Sequence, residues 1–376
     1  MSLAQVGLGL LGAGLLAAGW TYVGYPLWLA AARRRPVRAP AAGALPRVRI
    51  LVPAHDEADL IAGKLENLLR ASDGLDAEIV VIDDGSRDGT AAIVERFAGR
   101  GVRLLRLARC VGKNGAIDEA MRRLAPHPPL VATTDVDARI DRAGLRRLLA
   151  AAADPSVGVA AARVVYASGG GASREQGYFA YENLVRRLES RSGACVSIGG
   201  QFEVHRASIW RPLPGDAATD MATALLARAA GLAAIQVDEA VVTTVAGGAL
   251  SREIGRKRRT IRRALGAVRW LWGALGWNDR VRIVSHKFAR YLLPVYQAMI
   301  ALGAALVAAP WPVGVGLVVG GAGAFALAVA WGVLGRSCPA LIRAVAYYEM
   351  VHVIGLVEVL RSWAGLRSQV AWSRAR

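Results

Sequence analysis

The sequence contains 376 residues, of which 54% are hydrophobic and 20% are charged, and its formal net charge is +18. A mean hydropathy of +0.33 is high for a chain with this much charge, which indicates a soluble domain joined to membrane segments. A basic excess usually reflects nucleic acid, an anionic membrane face or phosphorylated substrates. The sequence shows no zinc-ligand spacing, RNP-like segment or helix-turn-helix signal, so we expect no nucleic-acid partner. Three widely spaced cysteines, Cys110, Cys195 and Cys338, give no disulfide framework and fit a reducing compartment.

The N-terminal segment is predicted to be an uncleaved membrane anchor. Residues 2–32 contain no Asp, Glu, Lys or Arg and are long enough to span a bilayer, and the arginines at 33–35 follow at once. A cleaved signal peptide would carry its positive charge before a shorter apolar core. We therefore expect an anchor over residues 1–35 with its N-terminus outside, then a linker rich in Pro and Ala over residues 36–46 and a cytoplasmic domain.

Residues 47–250 alternate between strand-like and helix-like runs, which predicts an α/β domain with a mostly parallel, Rossmann-like sheet. The first predicted strands are Val48–Val52, which Pro53 ends, Glu78–Ile82, Val102–Leu107 and Leu130–Ala132. The helices between them are predicted at Asp59–Arg70, from Thr90 to Ala98, and at Ala116–Leu124 after a polar loop at 112–115. The later predicted elements are strand Val157–Val165, a loop at 169–171, helix Glu175–Arg191, strand Phe202–Arg206, helix Met221–Ala230, which Gly231 ends, and two short strands, Ala234–Val237 and Ala240–Thr244.

Polar residues follow each of the first four strands, at Glu57, Asp84, Lys113 and the pair Asp135 and Asp137. Because the carboxyl ends of parallel strands meet at one edge of a sheet, we expect these side chains to converge. Two carboxylates at a spacing of two residues make an oxygen-rich site that suits Mg²⁺ or Mn²⁺ and, through the metal, a diphosphate. An isolated Asp-x-Asp is more often a solvated turn before a helix, but that alternative leaves the convergence unexplained.

The C-terminal part of the chain is predicted to associate with the membrane. Residues 251–289 combine a dense basic run with tryptophans, which favours helices in the headgroup region over a solvated charge run. Residues 291–335 contain no Asp, Glu, Lys or Arg and are interrupted near Pro310, which predicts a transmembrane hairpin over residues 290–335. Residues 336–376 hold an apolar helix that contains acidic residues, followed by a basic tail. Crossing would place that tail outside, so we favour a membrane-associated helix that does not cross, with a transmembrane helix as the alternative.

Three runs of sequence resemble the family 2 inverting glycosyltransferases with a GT-A fold. They are ILVPAHDEADLIAGKLENLL, IVVIDDGSRDGT and TTDVDARI, and the resemblance continues in order over roughly residues 48–290. The layout is similar to that of membrane-anchored bacterial members related to polysaccharide synthases, whose cytoplasmic domain lies between transmembrane segments. The resemblance implies a GT-A catalytic domain at residues 47–250, flanked by transmembrane helices.

The resemblance also implies roles for residues on the donor side. The donor- and nucleotide-binding positions are Pro53, Glu57, Asp84, Lys113 and Asp135. Asp135 and Asp137 match the family's Asp-x-Asp pair, which binds the divalent metal, Mg²⁺ or Mn²⁺, and the sugar-diphosphate. The ordinary alternatives are turn preferences for Asp84 and a solvated loop position for Lys113.

On the acceptor side, the resemblance implies that Asp220 is the general base. Gln201, Arg256 and Arg259 match positions that flank the acceptor or the diphosphate. Inversion at an anomeric carbon needs one base to take the proton of the acceptor hydroxyl. The ordinary alternative for Asp220 is a residue that caps a helix. The family pattern is altered at Asp56, where Asn is usual, at Thr219, where a second acid is usual, and in the basic segment, which lacks an intact Gln-x-x-Arg-Trp sequence.

These observations predict a glycosyltransferase in a bacterial inner membrane, with several membrane passes and a cytoplasmic catalytic domain. We expect it to move a sugar from a nucleotide-sugar, with a UDP-sugar as the expected donor, to a lipid-linked or growing glycan in envelope or extracellular polysaccharide synthesis. The expected partners are donor, acceptor and bilayer, and an export or polymerisation protein is a further candidate. The alternatives are a processive polysaccharide synthase and a degenerate transferase that acts as a membrane scaffold.

Overall fold

The structure is a computed structural model that describes residues 1–35, 37, 45–167, 172–245, 250–334 and 338–365. Most of the predicted linker, the predicted loop at 169–171 and the basic tail lie outside the described residues.

An eight-stranded mixed sheet forms the centre of the domain. Its strands are β1 (Val48–Ala54), β2 (Ala77–Asp83), β3 (Val102–Arg106), β4 (Leu130–Thr134), β5 (Arg139–Ile140), β6 (Val157–Ala167), β7 (Phe202–Arg206) and β8 (Ala233–Val245). Their spatial order is β3-β2-β1-β4-β7-β6-β8-β5. The first four in this order are parallel, β6 is parallel to β8, and β7 and β5 run antiparallel to their neighbours. The predicted α/β fold with a mostly parallel sheet is therefore confirmed.

Helices pack on the sheet and extend the chain beyond it at both ends. They are α1 (Leu3–Gly19), α2 (Tyr25–Ala31), α3 (Ala58–Ala71), α4 (Thr90–Glu95), α5 (Gly112–Arg123), α6 (Arg142–Ala153), α7 (Ala172–Arg191), α8 (Thr219–Ala229), α9 (Leu250–Leu271), α10 (Trp277–Ile283), α11 (Ala289–Tyr291), α12 (Leu293–Ala308), α13 (Pro312–Leu334) and α14 (Ala340–Trp363).

The arrangement of β1 and β4 places the functional edge of the domain. Every residue of β1 is buried, as expected for a parallel strand covered on both faces. β4 pairs directly with β1, although β2 and β3 come between them in the chain. The strand order therefore reverses between these two strands, and ligands of open α/β sheets bind in the crevice outside the carboxyl ends at such a point. Glu57 follows β1, and Asp135 follows β4.

Three local predictions are wrong. Pro53 does not end the first strand, because β4 pairs only with residues 48–51 and the missing N–H of Pro53 falls beyond that ladder. Lys113 does not lie in a loop, because α5 already begins at Gly112, and it stands in the first turn of that helix. The two short strands predicted before residue 245 are one long strand, β8, whose pairing with β6 shifts register between Ala162 and Arg163.

Helices that are long and apolar enough to cross a membrane flank the domain. Within the part of the chain that the structure describes, three helices qualify by length and composition, Leu3–Ala31, Pro312–Leu334 and Ala340–Trp363. A bent pair, Trp277–Tyr291 with Leu293–Ala308, turns by 61° at its break. The first of these joins α1 and α2 through a π-helical turn at Trp20–Gly24.

The first helix and α12 approach each other closely at glycines. A Cβ atom on Gly303 would lie 2.5 Å from the backbone nitrogen of Leu11, and one on Gly7 would lie 2.9 Å from the carbonyl oxygen of Gly303. Small residues that bring helix backbones together are typical of helix pairs in membranes. The N-terminal helix and α12 therefore form one packed unit, although they are almost 300 residues apart in the chain.

Candidate active site

The loops after β2 and β3 are joined by Asp84. Its side chain is fully buried and accepts hydrogen bonds from the backbone N–H groups of Val111 at 2.7 Å and Gly112 at 2.8 Å. Gly85 has a φ of +69°, and a Cβ there would lie 2.8 Å from the backbone nitrogen of Cys110, so the two loops touch backbone to backbone. Asp84 is therefore a structural link between two strand ends rather than a solvated turn residue.

The loop after β1 interlocks with the loop after β2. The carboxylate of Asp56 accepts from the N–H of Arg87 at 2.8 Å, and the N–H of Asp56 donates to the hydroxyl of Ser86 at 3.0 Å. Asp56 has a φ of +54°, a left-handed conformation that Asp and Asn tolerate better than most residues. The N–H of Glu57 donates to the hydroxyl of Thr90 at 2.9 Å. Replacement of the family's Asn by Asp thus keeps both the backbone conformation and the acceptor.

His55, Asp84 and Cys110 present a nitrogen, an oxygen and a sulfur within 4.8 Å of one another. Hydrogen bonds account for this group, because the Asp84 carboxylate accepts from backbone N–H groups and from the Cys110 thiol at 3.3 Å. The His55 Nδ1 lies 2.7 Å from the carbonyl oxygen of Asp84.

Lys113 and Asp135 form an ion pair between the ends of β3 and β4, with Lys113 Nζ 2.5 Å from Asp135 Oδ1. Both side chains are partly exposed to the crevice. Burial lowers the pKa of Lys113, but the neighbouring carboxylate of Asp135 more than offsets it, and the pKa is raised overall. The lysine therefore stays positively charged at the edge of the sheet, beside the loop that Asp84 holds.

Asp137 lies two residues further on and is held by β8. The hydroxyl of Thr244 donates to its Oδ2 at 2.9 Å. Burial raises the pKa of Asp137, and repulsion from Asp135 raises it further. Two crowded carboxylates of this kind are the hard oxygen ligands that a divalent cation would bind and neutralise. The next helix is capped by Asp141, which accepts from the N–H of Gly144 at 2.6 Å, so the Asp-x-Asp pair is not needed as its cap.

The predicted base lies on the other side of the same edge. Asp220 is in the first turn of α8, whose N-cap is Ala218, so Asp220 is not the helix cap. A Cβ on Gly200 would lie 2.9 Å from the Cβ of Asp220, so Gly200 leaves room for this carboxylate beside the approach to β7. The carbonyl oxygen of Gln201 accepts from the N–H of Asp135 at 3.2 Å, which joins the acceptor side to the Asp-x-Asp turn through the backbone.

The family description Glycosyl transferase family 2 matches residues 49–210, which include β1 to β4, α3, α5 and β7. These residues form a family 2 glycosyltransferase domain. The glycosyltransferase domain carries all of the predicted donor-side residues, from Pro53 to Asp137.

Two relatives of the glycosyltransferase domain differ in what they show. The succinoglycan biosynthesis protein ExoO of Rhizobium meliloti (strain 1021) is 36% identical over 110 residues, which is 29% of this chain and 31% of that protein. The alignment thus spans less than a third of this curated relative. The mannosyltransferase PcManGT from Pyrobaculum calidifontis, solved in complex with GDP-Man and Mn²⁺, has a TM-score of 0.67 over 94% of this chain and 99% of its own. At 23% identity this likeness shows the fold, which is the GT-A fold expected from the sequence.

The sequence patterns do not predict the roles of several polar residues in and beside the glycosyltransferase domain. The buried amide of Asn114 donates to the carbonyl oxygens of Pro214 at 2.7 Å and Ala217 at 2.9 Å, and it accepts from Thr219 Oγ1 at 2.8 Å. Thr219, which stands where the family usually has an acid, thus ties α8 to the helix that carries Lys113. The only signal for Asn114 in the sequence is its place beside Lys113.

A cation from α9 reaches the site, but it is not one of those predicted. Arg263 donates to Asn114 Oδ1 at 3.1 Å and to the carbonyl oxygen of Ala217 at 2.9 Å. Burial lowers the pKa of Arg263, and the carboxylates of Asp220 and Asp135 oppose that change, which places its charge near both. Arg256 lies 3.5 Å from Glu253 on its own helix, and burial and Arg256 lower the pKa of Arg259. The roles predicted for Arg256 and Arg259 stay predictions.

Proposed function

We propose that this protein is a membrane-bound, inverting glycosyltransferase that uses a nucleotide-sugar donor at the cytoplasmic face. The observation that carries the proposal is the path of polar groups along one edge of the sheet. Asp84 holds the loop that begins α5, Lys113 at the start of α5 pairs with Asp135, and Asp137 follows on the same turn. A nucleoside near Asp84 would place its diphosphate beside Lys113 and the two carboxylates.

A divalent metal fits the Asp135 and Asp137 pair. The pKa of Asp137 is raised by burial and by Asp135, so a cation between the two carboxylates would relieve that repulsion. When bound, the metal would neutralise charge on the leaving diphosphate. Lys113 and Arg263 would add positive charge at the same place, which stabilises the diphosphate as it leaves. The Mn²⁺ bound to the mannosyltransferase of the same fold supports this proposal.

Asp220 is proposed as the base that takes a proton from the acceptor hydroxyl. It lies beside Gly200, and Arg263 feels the charge of both Asp220 and Asp135. Attack from that side on the anomeric carbon would invert its configuration, with the diphosphate leaving toward Lys113. The similarity to a succinoglycan biosynthesis protein supports a lipid-linked or growing glycan as acceptor. UDP-sugars and GDP-sugars are both candidate donors, the former from the sequence analysis and the latter from the structural relative.

The donor assay uses the purified full-length chain with a panel of UDP- and GDP-sugars, with Mn²⁺, with Mg²⁺ and with neither. We expect metal-dependent release of a nucleoside diphosphate with at least one donor. Asp137→Ala should lower that release by at least about 100-fold, because loss of a ligand removes the metal's contribution. Asp73→Ala is the matched control, because Asp73 is exposed at the far end of α3.

The same assay separates the two halves of the proposal. Asp220→Asn should keep nucleotide binding and lower sugar transfer by about 10²–10⁴-fold, as expected for loss of a general base. Wild-type transfer rates in folded Asp137→Ala would refute the metal site. Lack of release and of nucleotide binding by the wild-type chain would favour a degenerate transferase with a scaffold role.

A further inference from the structure

Lys64 is a buried cation that the proposed chemistry does not use. It lies on α3 among the apolar residues that face the sheet, and its side chain has no exposed surface. Its neighbours on that stripe are Ile61, Leu65 and Leu68. Burying an ammonium group costs several kcal/mol, on the order of the whole stability margin of a domain, unless hydrogen bonds compensate. The hydrogen bonds of Lys64 should therefore show which part of the structure this buried side chain stabilises.

The ammonium group of Lys64 joins the two ends of the Asp-x-Asp turn. It donates to the hydroxyl of Thr134 at 2.7 Å and to the carbonyl oxygen of Ala138 at 2.6 Å. Thr134 directly precedes Asp135, and Ala138 directly follows Asp137. One side chain from α3 thus spans the residues whose carboxylates form the proposed metal site.

Further hydrogen bonds hold the same turn. Arg139 donates to the carbonyl oxygens of Val136 at 2.6 Å and of Ala138 at 3.1 Å. The hydroxyl of Thr134 donates to the carbonyl oxygen of Gln201 at 2.8 Å, so Lys64, Thr134 and Gln201 form a continuous chain of hydrogen bonds. The contacts of Lys64 go to backbone and hydroxyl oxygens, and they fix the turn without occupying the carboxylates.

We propose that Lys64 is a positioning residue that holds the Asp135–Asp137 turn in the conformation that binds the divalent metal. Groups behind the ligands of a metal site commonly set ligand orientation in this way. The charge of Lys64 and its tethering act in opposite directions on the metal. A nearby positive charge repels a divalent cation, whereas a fixed turn keeps both carboxylates aimed at it. The proposal states that tethering dominates, and it rests on the proposed metal site.

The test measures Mn²⁺ binding by the full-length chain in detergent. The EPR signal of free Mn²⁺ is the readout, and parallel titrations contain UDP or GDP. Lys64→Met removes the charge and both tethers while retaining a long apolar side chain. We expect its Mn²⁺ affinity to fall by about 10–100-fold. Arg49→Met is the matched control. Arg49 is a buried cation near the N-terminal end of β1, whereas the metal site lies at the carboxyl ends of the strands. It donates to the carbonyl oxygen of Leu124 at 2.6 Å, so its loss should lower Tm but not Mn²⁺ affinity.

A second variant covers the case in which Lys64→Met does not fold. Thr134→Val keeps the charge of Lys64 and removes one of its two tethers, so it should also weaken Mn²⁺ binding. Unchanged or tighter Mn²⁺ binding in folded Lys64→Met, or unchanged binding in Thr134→Val when Lys64→Met is unfolded, would overturn the positioning role alone. Absence of saturable Mn²⁺ binding in the wild-type chain would instead overturn the metal site of the proposed function, and the role of Lys64 with it.

Discussion

Glu203 is a buried carboxyl group beneath the proposed base. It lies on β7, and its two oxygens accept from the hydroxyls of Thr133 at 3.1 Å and Thr223 at 3.0 Å. Burial raises the pKa of Glu203 to about 8, repulsion from Asp220 adds to this, and Lys113 opposes it. Glu203 is thus expected to hold a proton at neutral pH, which removes a negative charge from beside the proposed base.

The raised pKa of Glu203 makes a prediction about stability and pH. Between its ordinary pKa of 4.5 and about 8, Glu203 is protonated in the folded chain and ionised in the unfolded chain. The folded state then binds more protons, so the contribution of Glu203 to stability falls as pH rises through this window. Glu203→Gln mimics the protonated group at every pH. We expect the variant to gain stability relative to wild type between pH 5 and pH 8, measured as the difference in Tm.

The matched control for this experiment is Glu66→Gln. Glu66 is a surface residue, and its hydrogen bond with Arg100 lowers its pKa. It is ionised in both states above its ordinary pKa, so its difference from wild type should stay constant between the same two pH values. A constant difference for Glu203→Gln as well would show that Glu203 titrates like an ordinary glutamate.

Residues of the site differ in how far the sequence could predict them, for a physical reason. Glu57, Asp84, Asp135 and Asp137 lie within three residues of strand ends, so local hydrophobic patterns are enough to predict them at one edge. Lys64 acts from a helix that packs against the sheet, and Glu203 acts through the pairing of two strands within it. Glu203 meets Thr133 because β4 pairs antiparallel with β7, about 70 residues further along the chain. No local sequence pattern encodes that pairing. For Lys64 and Glu203, the only local signal of a special role is a charged residue within an apolar run.

The same distinction holds for whole elements. The strand-like runs around Ala234 and Ala240 predict two strands, yet a register shift allows β8 to continue past residues 238 and 239. Gly112 and Gly115 favour a loop, but α5 begins at Gly112 because tertiary contacts through Asn114 outweigh the low helix propensity of the two glycines. Local propensity located most elements, but it divided β8 into two strands and placed the start of α5 late.

A buried ionic cluster connects α7 to the segment that leads into the membrane helices. Glu182 on α7 lies 2.5 Å from Lys287 Nζ, 2.6 Å from Arg290 Nη1, 3.2 Å from Arg186 Nη2 and 3.2 Å from His286 Nε2. Its side chain is 2% exposed. One carboxylate thus holds several cations at the junction between the glycosyltransferase domain and α12. The cations would repel one another if that carboxylate lost its charge.

We therefore expect Glu182→Gln to destabilise the protein strongly. Removing one partner from a buried ion pair typically costs about 3–5 kcal/mol, because the remaining charges are left buried without compensation. The expected readout is a clear fall in Tm of the full-length chain in detergent. Glu119→Gln is the control, because Glu119 pairs with Arg122 and Arg123 on the surface of α5, and its Tm should not change measurably. Equal Tm values for the two variants would contradict a central role of the cluster.

At the scale of the whole molecule, α14 decides the membrane topology of the C-terminal part. Glu358 lies 2.8 Å from Arg258 Nε and 2.5 Å from Arg262 Nε, so the C-terminal half of α14 packs on α9. Nearer its middle, Glu349 accepts from Gln297 Nε2 at 2.8 Å, in the second turn of α12. The C-terminal half of α14 therefore stays beside elements that adjoin the glycosyltransferase domain.

The opposite face of α14 is apolar and exposed. Its exposed large side chains are Leu341, Val345, Val353, Val357, Leu360 and Trp363. Glu349, His352 and Glu358 are buried against protein, whereas these large apolar side chains are exposed, which suits a helix whose outer face is in lipid. After the turn at residues 309–311, α13 returns toward the domain, and α14 begins beside the C-terminal end of α13. There, a Cβ on Gly332 would lie 2.4 Å from the Cβ of Ala346. An orientation of α14 along the membrane surface fits these contacts.

We predict that both ends of α14 lie on the cytoplasmic side. Ala340→Cys and Ala364→Cys, each placed in a Cys110→Ser background because Cys110 is the exposed native cysteine of the described chain, should react with a membrane-impermeant maleimide only in inverted vesicles or opened cells. Trp311→Cys, in the exposed turn between α12 and α13, is the opposite control and should react in intact cells. Labelling of Ala364→Cys in intact cells would mean that α14 crosses the bilayer. The contacts of Glu358 with α9 oppose that result, because Arg263 links α9 to Asn114 in the glycosyltransferase domain and the arginines of α9 favour the cytoplasmic side.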